Sequence, residues 1–589
     1  MRLVVKGLGE VEVDWATAQL LIAELKALGF RFDPTAKAWE PPRVLKAKPS
    51  LRLLKYFPRA AELPRGYYQG NYYVYAGEEP KDLAYKLKMW RRATCEEYCE
   101  ERCGEDSEEE TCDSYCEKWC SKNDGDDACV EYCAERCRDE GWLEERRSRC
   151  VEQCTERCEE EGWRPVVQDE VVVKLYWPAG SGLWKVPRGL AAKLGARERF
   201  LERPIAHEPD DALRPYQREV AKSVFEAFER YGGAVAQMAT GAGKSYMAGY
   251  IARELARNGY KVLVTALSKD LVVQLQDFAR RWGAEVHAAT VQWLWRRVAS
   301  GDREPAAELD EEEREVVKAY SDEWAEEGVE KLLDARDVAI VIDETHHVPA
   351  RTVREVVKAV GGGWALRLGL SATPWRADGR DMEIEAWVGP IVEPRISSSY
   401  LIEHGYAVPI TIYMHRPKAK CKTPDGSYAE VRKVLLLDCE ERNREIIRIL
   451  MDAEKPAMVV TSLVKHAELL YKMAKEAGLR AELATGAVKA EERKRIFDAV
   501  RARQVDVLVA TTIANEGLDL PSLRTLVNAR GGASPPMAIQ VAGRLVRKDE
   551  GKDHATLIDF CDDAPFFREQ CEKRAKIYAT EPRWNLVWT

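Results

Sequence analysis

The stretch Val235-Ala236-Gln237-Met238-Ala239-Thr240-Gly241-Ala242-Gly243-Lys244-Ser245 decides how this chain of 589 residues is read. An apolar run of strand character leads into Thr240, and a segment with helical spacing follows from Tyr246 to Asn258. Strand, glycine-rich turn and helix, in that order, make a cradle for phosphate. The glycines let backbone N–H groups wrap a β-phosphate, and the helix N-terminus adds its positive end. In such a loop Lys244 reaches the β- and γ-phosphates and the Ser245 hydroxyl is a ligand for Mg2+. Thr240, Gly241, Ala242, Gly243, Lys244 and Ser245 are therefore the candidate ATP-binding residues. The general pattern has glycine where this chain has Met238, so the match rests on the T-G-x-G-K-S core.

A chain of this length exceeds one core, and three to five domains are expected. The composition, 46% hydrophobic and 32% charged, is globular. No apolar run nears membrane-spanning length, and the first residues have a short strand pattern where a signal peptide would be apolar. A cytoplasmic protein without a membrane partner is expected. High charge with scarce Asn and Gln matches heat-adapted usage and points to a hyperthermophilic archaeon. The net charge of −9 is unevenly spread. Residues 95–162 hold 25 acidic and 9 basic side chains, whereas residues 1–94 hold 17 basic and 10 acidic ones.

Residues 1–94 read as a small basic α+β domain suited to nucleic acid. Leu3–Val5 and Glu10–Val13 have strand character, Trp15–Leu28 has helical spacing, and Asp33-Pro34 marks a turn between short aromatic strands. Tyr67, Tyr68, Tyr72, Tyr73 and Tyr75 lie among basic residues. They suit either the packing of a small sheet, the favoured reading, or base stacking. Residues 95–162 contain twelve of the sixteen cysteines in four C-x-x-x-C-x-x-x-C triplets, each along one helical face. Two helical hairpins follow, each zipped by nested bridges that would replace a missing core. The pairing expected is Cys95–Cys120, Cys99–Cys116, Cys103–Cys112, Cys129–Cys158, Cys133–Cys154 and Cys137–Cys150. Zinc or an iron–sulfur cluster is the alternative, although metal sites favour C-x-x-C knuckles. This acidic module is a candidate docking site for a protein partner. Residues 163–206 return to strand pattern and are expected to complete the N-terminal domain around the insert.

From Leu213 the chain runs in strand–helix units, which implies parallel sheets with ligands at the carboxyl ends of the strands. Val338–Ile342 is a buried type of strand ending in Asp343-Glu344-Thr345-His346. Two adjacent carboxylates there divide the work: Asp343 to hold Mg2+ through water, Glu344 to orient the attacking water. Further on come Leu368-Gly369-Leu370-Ser371-Ala372-Thr373-Pro374-Trp375-Arg376, Thr511 to Pro521, and Gln540-Val541-Ala542-Gly543-Arg544-Leu545-Val546-Arg547.

In order and spacing, Leu213-Arg214-Pro215-Tyr216-Gln217, the phosphate loop and these segments resemble the motif series of superfamily 2 DExH-box helicases. The resemblance covers residues 213–548 and leans towards XPB-like and restriction-type motors. The N-terminal residues also resemble the small module that precedes the motor in HARP-type and XPB-type enzymes. The resemblance implies an α/β fold of two RecA-like parallel-sheet lobes, preceded by a small α+β domain carrying the cysteine-rich helical insertion. Lobe 1 is expected over 207–398, lobe 2 over 399–565 and a C-terminal tail over 566–589. By resemblance, Gln217 reads adenine, while Ser268, Thr290, Ser462 and Thr511 contact a nucleic-acid backbone. His346 links the nucleotide site to lobe 2, and Ser371 and Thr373 couple hydrolysis to lobe movement. Gly517 and Asp519 lie near the ribose. Gln540, Arg544 and Arg547 complete the catalytic set, the arginines crossing the cleft as fingers. The function implied is an ATP- and Mg2+-dependent DNA helicase or translocase. The alternatives are a duplex translocase or annealing enzyme, an RNA helicase, and a non-motor ATP switch.

Overall fold

Runs of small and β-branched apolar residues, separated by amphipathic helices, build two wholly parallel sheets, as βα units require. The computed structural model describes residues 1–92, 151–298, 323–375, 379–511 and 520–589, apart from residues 7, 29, 34, 42–50, 58–65, 153, 156–165, 181–182, 425–426, 487, 489 and 533–534. The six strands of lobe 1, from edge to edge, are His287–Thr290, Lys261–Ala266, Val338–Asp343, Leu366–Ser371, Gly233–Met238 and Ile391–Ile396. Lobe 2 has seven: Ala481–Ala484, Val507–Thr511, Ala457–Thr461, Thr525–Asn528, Ala555–Phe560, Ile410–His415 and Trp584–Trp588. Both are RecA-like. Their inner strands have almost no accessible surface, because helices cover both faces.

The C-terminal segment is more than a docked tail. The helix Phe567–Tyr578 and the edge strand Trp584–Trp588, parallel to Ile410–His415, belong to the lobe 2 sheet. Glu581 ties the segment to the linker between the lobes, accepting the N–H groups of Ser398 (3.1 Å) and Ser399 (2.8 Å) and the Ser399 hydroxyl (2.6 Å). A carboxylate there meets the first N–H groups of the helix Ser398–Glu403, which have no partner within the helix.

The N-terminal residues form two sheets where one domain was expected. Arg2–Val5, Gly9–Glu12, Arg31–Asp33 and Ala38–Glu40 make the first, packed with the helix Trp15–Ala27 around Leu3, Val5, Leu21, Leu25 and Trp39. The second combines Gly66–Gln69 and Tyr72–Ala76 with Trp177–Gly180 and Leu183–Pro187, strands from either side of the insertion. Tyr68 and Tyr73 are buried in it, 5.0 Å apart between ring centres, so these two pack the sheet. Fully buried Arg188 fastens this sheet to lobe 1. Its guanidinium donates to the carbonyls of Gly363 (3.1 Å), Gly232 (3.1 Å) and Ala365. Arg367 of lobe 1, also fully buried, donates to Asn71 Oδ1 and to the Trp387 carbonyl (2.6 Å). Loss of hydration pushes both guanidinium groups down from their ordinary value.

Residues Ala84–Val173 form a separate unit, in which Ala84–Arg92 pairs with Val166–Lys174. Cys154 of that unit is disulfide-bonded. The six pairings expected above lie outside the described residues. Lobe 2 adds two bridges that the triplet pattern gave no hint of, Cys421–Cys439 and Cys561–Cys571, with Cα separations of 5.8 and 5.3 Å. Among the described residues, no helix is long and apolar enough to cross a membrane.

Candidate nucleotide site between the lobes

The buried strand Gly233–Met238 delivers the phosphate loop at its carboxyl end, and the helix Lys244–Arg257 begins at once. Gly241 and Gly243 take left-handed φ values of 86° and 78°. Any side chain would be strained there, and a Cβ at Gly243 would come 2.4 Å from Gln217 Nε2. The loop is braced from behind. The Tyr216 hydroxyl and Gln217 Nε2 both donate to the Ala242 carbonyl, at 3.0 and 2.9 Å. Gln217 Oε1 accepts the Arg214 N–H at 2.9 Å, and the side chain is buried. The amide expected to read adenine is thus engaged at both ends within the protein.

Asp343 ends the central strand of lobe 1, and its Oδ1 accepts the Glu344 N–H at 3.0 Å. Glu344 is held at φ 50°, a left-handed conformation costly for a non-glycine residue. Burial, and then the Glu344 charge, push the Asp343 carboxyl up to about 7; Lys244 acts in the opposite sense. This donor set fits Mg2+. The Ser245 hydroxyl and Asp343 carboxylate are hard oxygen ligands, and the like charge concentrated at Asp343 and Glu344 is what a divalent cation would offset. His346 Nδ1 lies 3.5 Å from both Glu344 Oε2 and Ser371 Oγ, and Ser371 Oγ accepts the Thr373 N–H at 3.1 Å. Thr345 donates to the Leu370 carbonyl at 2.9 Å, and its methyl group occupies the space a Cβ at Gly369 would need. The D-E-T-H and S-A-T segments are therefore one packed unit.

Lobe 2 reaches this unit through the helix Pro535–Leu545, which carries Gln540 and Arg544. A Cβ at Gly543 would lie 2.9 Å from Thr240, and one at Gly241 would lie 3.2 Å from the Arg547 side chain. Both contacts put lobe 2 directly on the phosphate loop. Arg493 of lobe 2 pairs with Asp270 of lobe 1 at 3.1 Å. The linker takes part as well: Val408 N–H donates to the Val546 carbonyl at 2.8 Å, and Ala407 pairs with Arg547 as an antiparallel bridge. The Tyr406 ring lies 5.2 Å from that of Tyr216, with the Arg214 guanidinium 4.9 Å from its centre. Tyr216 and Tyr406 were not singled out in the sequence; a tyrosine beside a phosphate-loop motif carries no mark of what it will touch.

The four residues expected on a nucleic-acid backbone have different surroundings. Ser268, Ser462 and Thr511 stand at the carboxyl ends of strands, Ser268 as an N-cap accepting the Leu271 N–H and Ser462 donating to the Arg530 carbonyl. Thr290 has no exposed surface, and its hydroxyl is bonded to the main chain of Trp324, so no backbone contact is open to it in this conformation. Gly517 and Asp519 lie outside the described residues.

A phosphate loop and a carboxylate pair on one lobe, faced by an arginine-bearing helix from a second, define a nucleotide hydrolase assembled across two parallel-sheet lobes. Residues 210–376 match the model of the Type III restriction enzyme res subunit, and residues 441–549 that of the helicase conserved C-terminal domain. These matched residues carry the two domains of a superfamily 2 helicase, and the enzymatic class they give the chain is that of a nucleic-acid-dependent ATPase. It is 28% identical over 388 residues to the putative helicase 22 of a Sulfolobus islandicus filamentous virus, covering 63% of this chain and 67% of that one. A putative ATP-dependent RNA helicase of Acanthamoeba polyphaga mimivirus is 24% identical over 388 residues, covering 64% of this chain and 69% of its own. The DNA 3'-5' helicase XPB of Kineococcus radiotolerans is 25% identical over 394 residues, covering 64% of this chain and 63% of that enzyme.

Proposed function

We propose that the chain is an ATP-driven motor on DNA, moving along the backbone as its lobes close on ATP and part after hydrolysis. The observation that carries this reading is the seat of lobe 2 on the phosphate loop, with Gly543 against Thr240 and Arg547 over Gly241. In this reading Lys244 meets the β- and γ-phosphates and Glu344 orients the attacking water. Arg544 and Arg547 stabilise charge on the γ-phosphate only while the lobes are together. Mg2+, held by Ser245 and Asp343, supplies charge neutralisation at the phosphates. His346, between Glu344 and Ser371, relays the state of the γ-phosphate to Ser371 and Thr373. Gln540, Gly517 and Asp519 complete the site by family resemblance. Ser268, Ser462 and Thr511 follow the backbone, which gives little sequence preference.

DNA is favoured over RNA by the runs D-E-T-H, S-A-T-P-W-R and Q-V-A-G-R, and by the DNA helicase name of one relative; the RNA helicase name of another supports the second reading. Displacement of a third strand from triplex DNA, beside unwinding of a forked DNA duplex and an RNA duplex, tests this. The wild type is expected to unwind the forked DNA or to displace the third strand with ATP, and Lys244→Ala to do neither. Activity confined to the RNA duplex, or a Lys244→Ala variant as active as the wild type, would overturn the proposal.

A further inference from the structure

The burial of Thr290 leads to a neighbour with a different character. Its hydroxyl accepts the Trp324 N–H and donates to the Trp324 carbonyl, both at 3.2 Å, and its own N–H donates to the same carbonyl at 2.9 Å. Ala325 pairs antiparallel with Ala289, and Glu326 N–H donates to the Ala288 carbonyl at 3.0 Å. Side chains hold the segment on both flanks: Arg296 pairs with Glu323, and the Gln276 amide donates to Glu326. Trp324 is thus fixed as an added edge residue beside the carboxyl end of His287–Thr290. Its ring is only partly buried against the core, and the exposed Lys269 places its ammonium 5.3 Å from the ring centre. The carboxyl edge is the one that carries Ser268, the phosphate loop and Asp343, where ligands of such sheets bind.

We infer that Trp324 and Lys269 form a stacking platform for an unpaired base of a single strand lying on lobe 1. This rests on the nucleic-acid motor reading above and adds the strand type that lobe 1 holds. A tryptophan whose main chain is already held in place has no backbone freedom left to lose on binding. Its π-face takes any base, while the adjacent ammonium suits a phosphate. A paired base offers no free face, so duplex binding gains nothing from the platform. Mere cover of the sheet edge would need bulk but no aromatic face and no cation.

The test is ATP hydrolysis by the full chain titrated with oligothymidylate, oligouridylate and a blunt DNA duplex, in the wild type, Trp324→Leu, Trp324→Phe and Lys269→Met. A stacked base is worth about 1–3 kcal/mol, so Trp324→Leu is expected to raise the half-saturating concentration of single strand about 5- to 150-fold, with the duplex curve unmoved. Trp324→Phe is expected to stay within about threefold of the wild type, and Lys269→Met to weaken single-strand binding with a shallower salt dependence. The two oligonucleotides tell DNA from RNA, and a shift with either one reports stacking. An unshifted single-strand curve for Trp324→Leu, equal shifts for single strand and duplex, or equal losses for Leu and Phe would overturn the platform alone. If Trp324→Leu does not fold, the Phe and Met variants still decide. A wild type indifferent to every nucleic acid would overturn the motor reading and the platform with it.

Discussion

Gln217 shows how one residue can match a motif while its surroundings change what is asked of it. Its amide donates to Ala242, accepts from Arg214 and is sealed from solvent, which makes it a brace for the phosphate loop. Gln217→Ala is expected to weaken ATP and GTP binding alike. The loss should be about 5- to 150-fold, the worth of a buried hydrogen-bonding group of about 1–3 kcal/mol. Equilibrium binding of fluorescent analogues of the two nucleotides checks this; loss of ATP preference with GTP binding unchanged would return the residue to an adenine-reading role. The placement of Thr240 to Ser245 and of Asp343-Glu344 at the carboxyl ends of buried strands was legible because local spacing states it. The surroundings of Thr290 were not, because its hydroxyl meets Trp324, a partner 34 residues away that no motif connects to it.

At the scale of elements, the linker has a part that its sequence does not announce. Tyr406 touches Tyr216 and Arg214 behind the phosphate loop, and the next two residues pair with Val546 and Arg547. Phosphate loop, tyrosines, linker and Arg547 therefore close a ring of contacts, and the linker holds Arg547 at a fixed offset from Gly241. Tyr406→Ala is expected to lower kcat for ATP hydrolysis about tenfold or more with little change in KM, since misplacement of a group by about 1 Å is enough for losses of that order. Tyr406→Phe should restore it, the contact being one of rings. Steady-state kinetics decide; a KM effect alone would make the linker a binding element. The edge strand Trp584–Trp588 was equally hard to foresee, since five residues with a tryptophan at each end suit a docked tail as well as a strand.

Across the whole molecule, parallel sheets buried on both faces read as nearly continuous apolar runs, so the lobes were visible in the sequence. The docking of the small sheet was not. Arg188 reaches Gly363 across 175 residues, and such contacts leave no local signature. Buried polar groups also tie stability to pH. His466 in lobe 2 has no exposed surface; Nε2 donates to Asn443 Oδ1 (2.9 Å) and Nδ1 accepts from Thr461 Oγ1 (2.5 Å). Burial, with Arg442 adding to it, holds its pKa well below the ordinary 6.5. Below that ordinary value the unfolded chain takes up a proton that the folded one refuses. Stability is therefore expected to fall as pH drops below about 6.5, by at most about 1.4 kcal/mol per unit from this group, and to be unaffected by it above. Denaturant unfolding of the wild type and His466→Gln between pH 5 and 7 should show the shallower slope in the variant; equal slopes would contradict this.

The reading of the molecule as a two-lobed, nucleic-acid-driven ATPase on DNA stands or falls on steady-state ATP hydrolysis without nucleic acid and with single-stranded DNA, duplex DNA and RNA in parallel, for the wild type and Arg547→Ala. Wild-type hydrolysis is expected to rise at least about tenfold with DNA and less with RNA. Arg547→Ala should lose about 10³-fold or more of the stimulated rate, the loss typical of an arginine finger. A wild-type rate flat across all four conditions, or a stimulated rate untouched by Arg547→Ala, would contradict it.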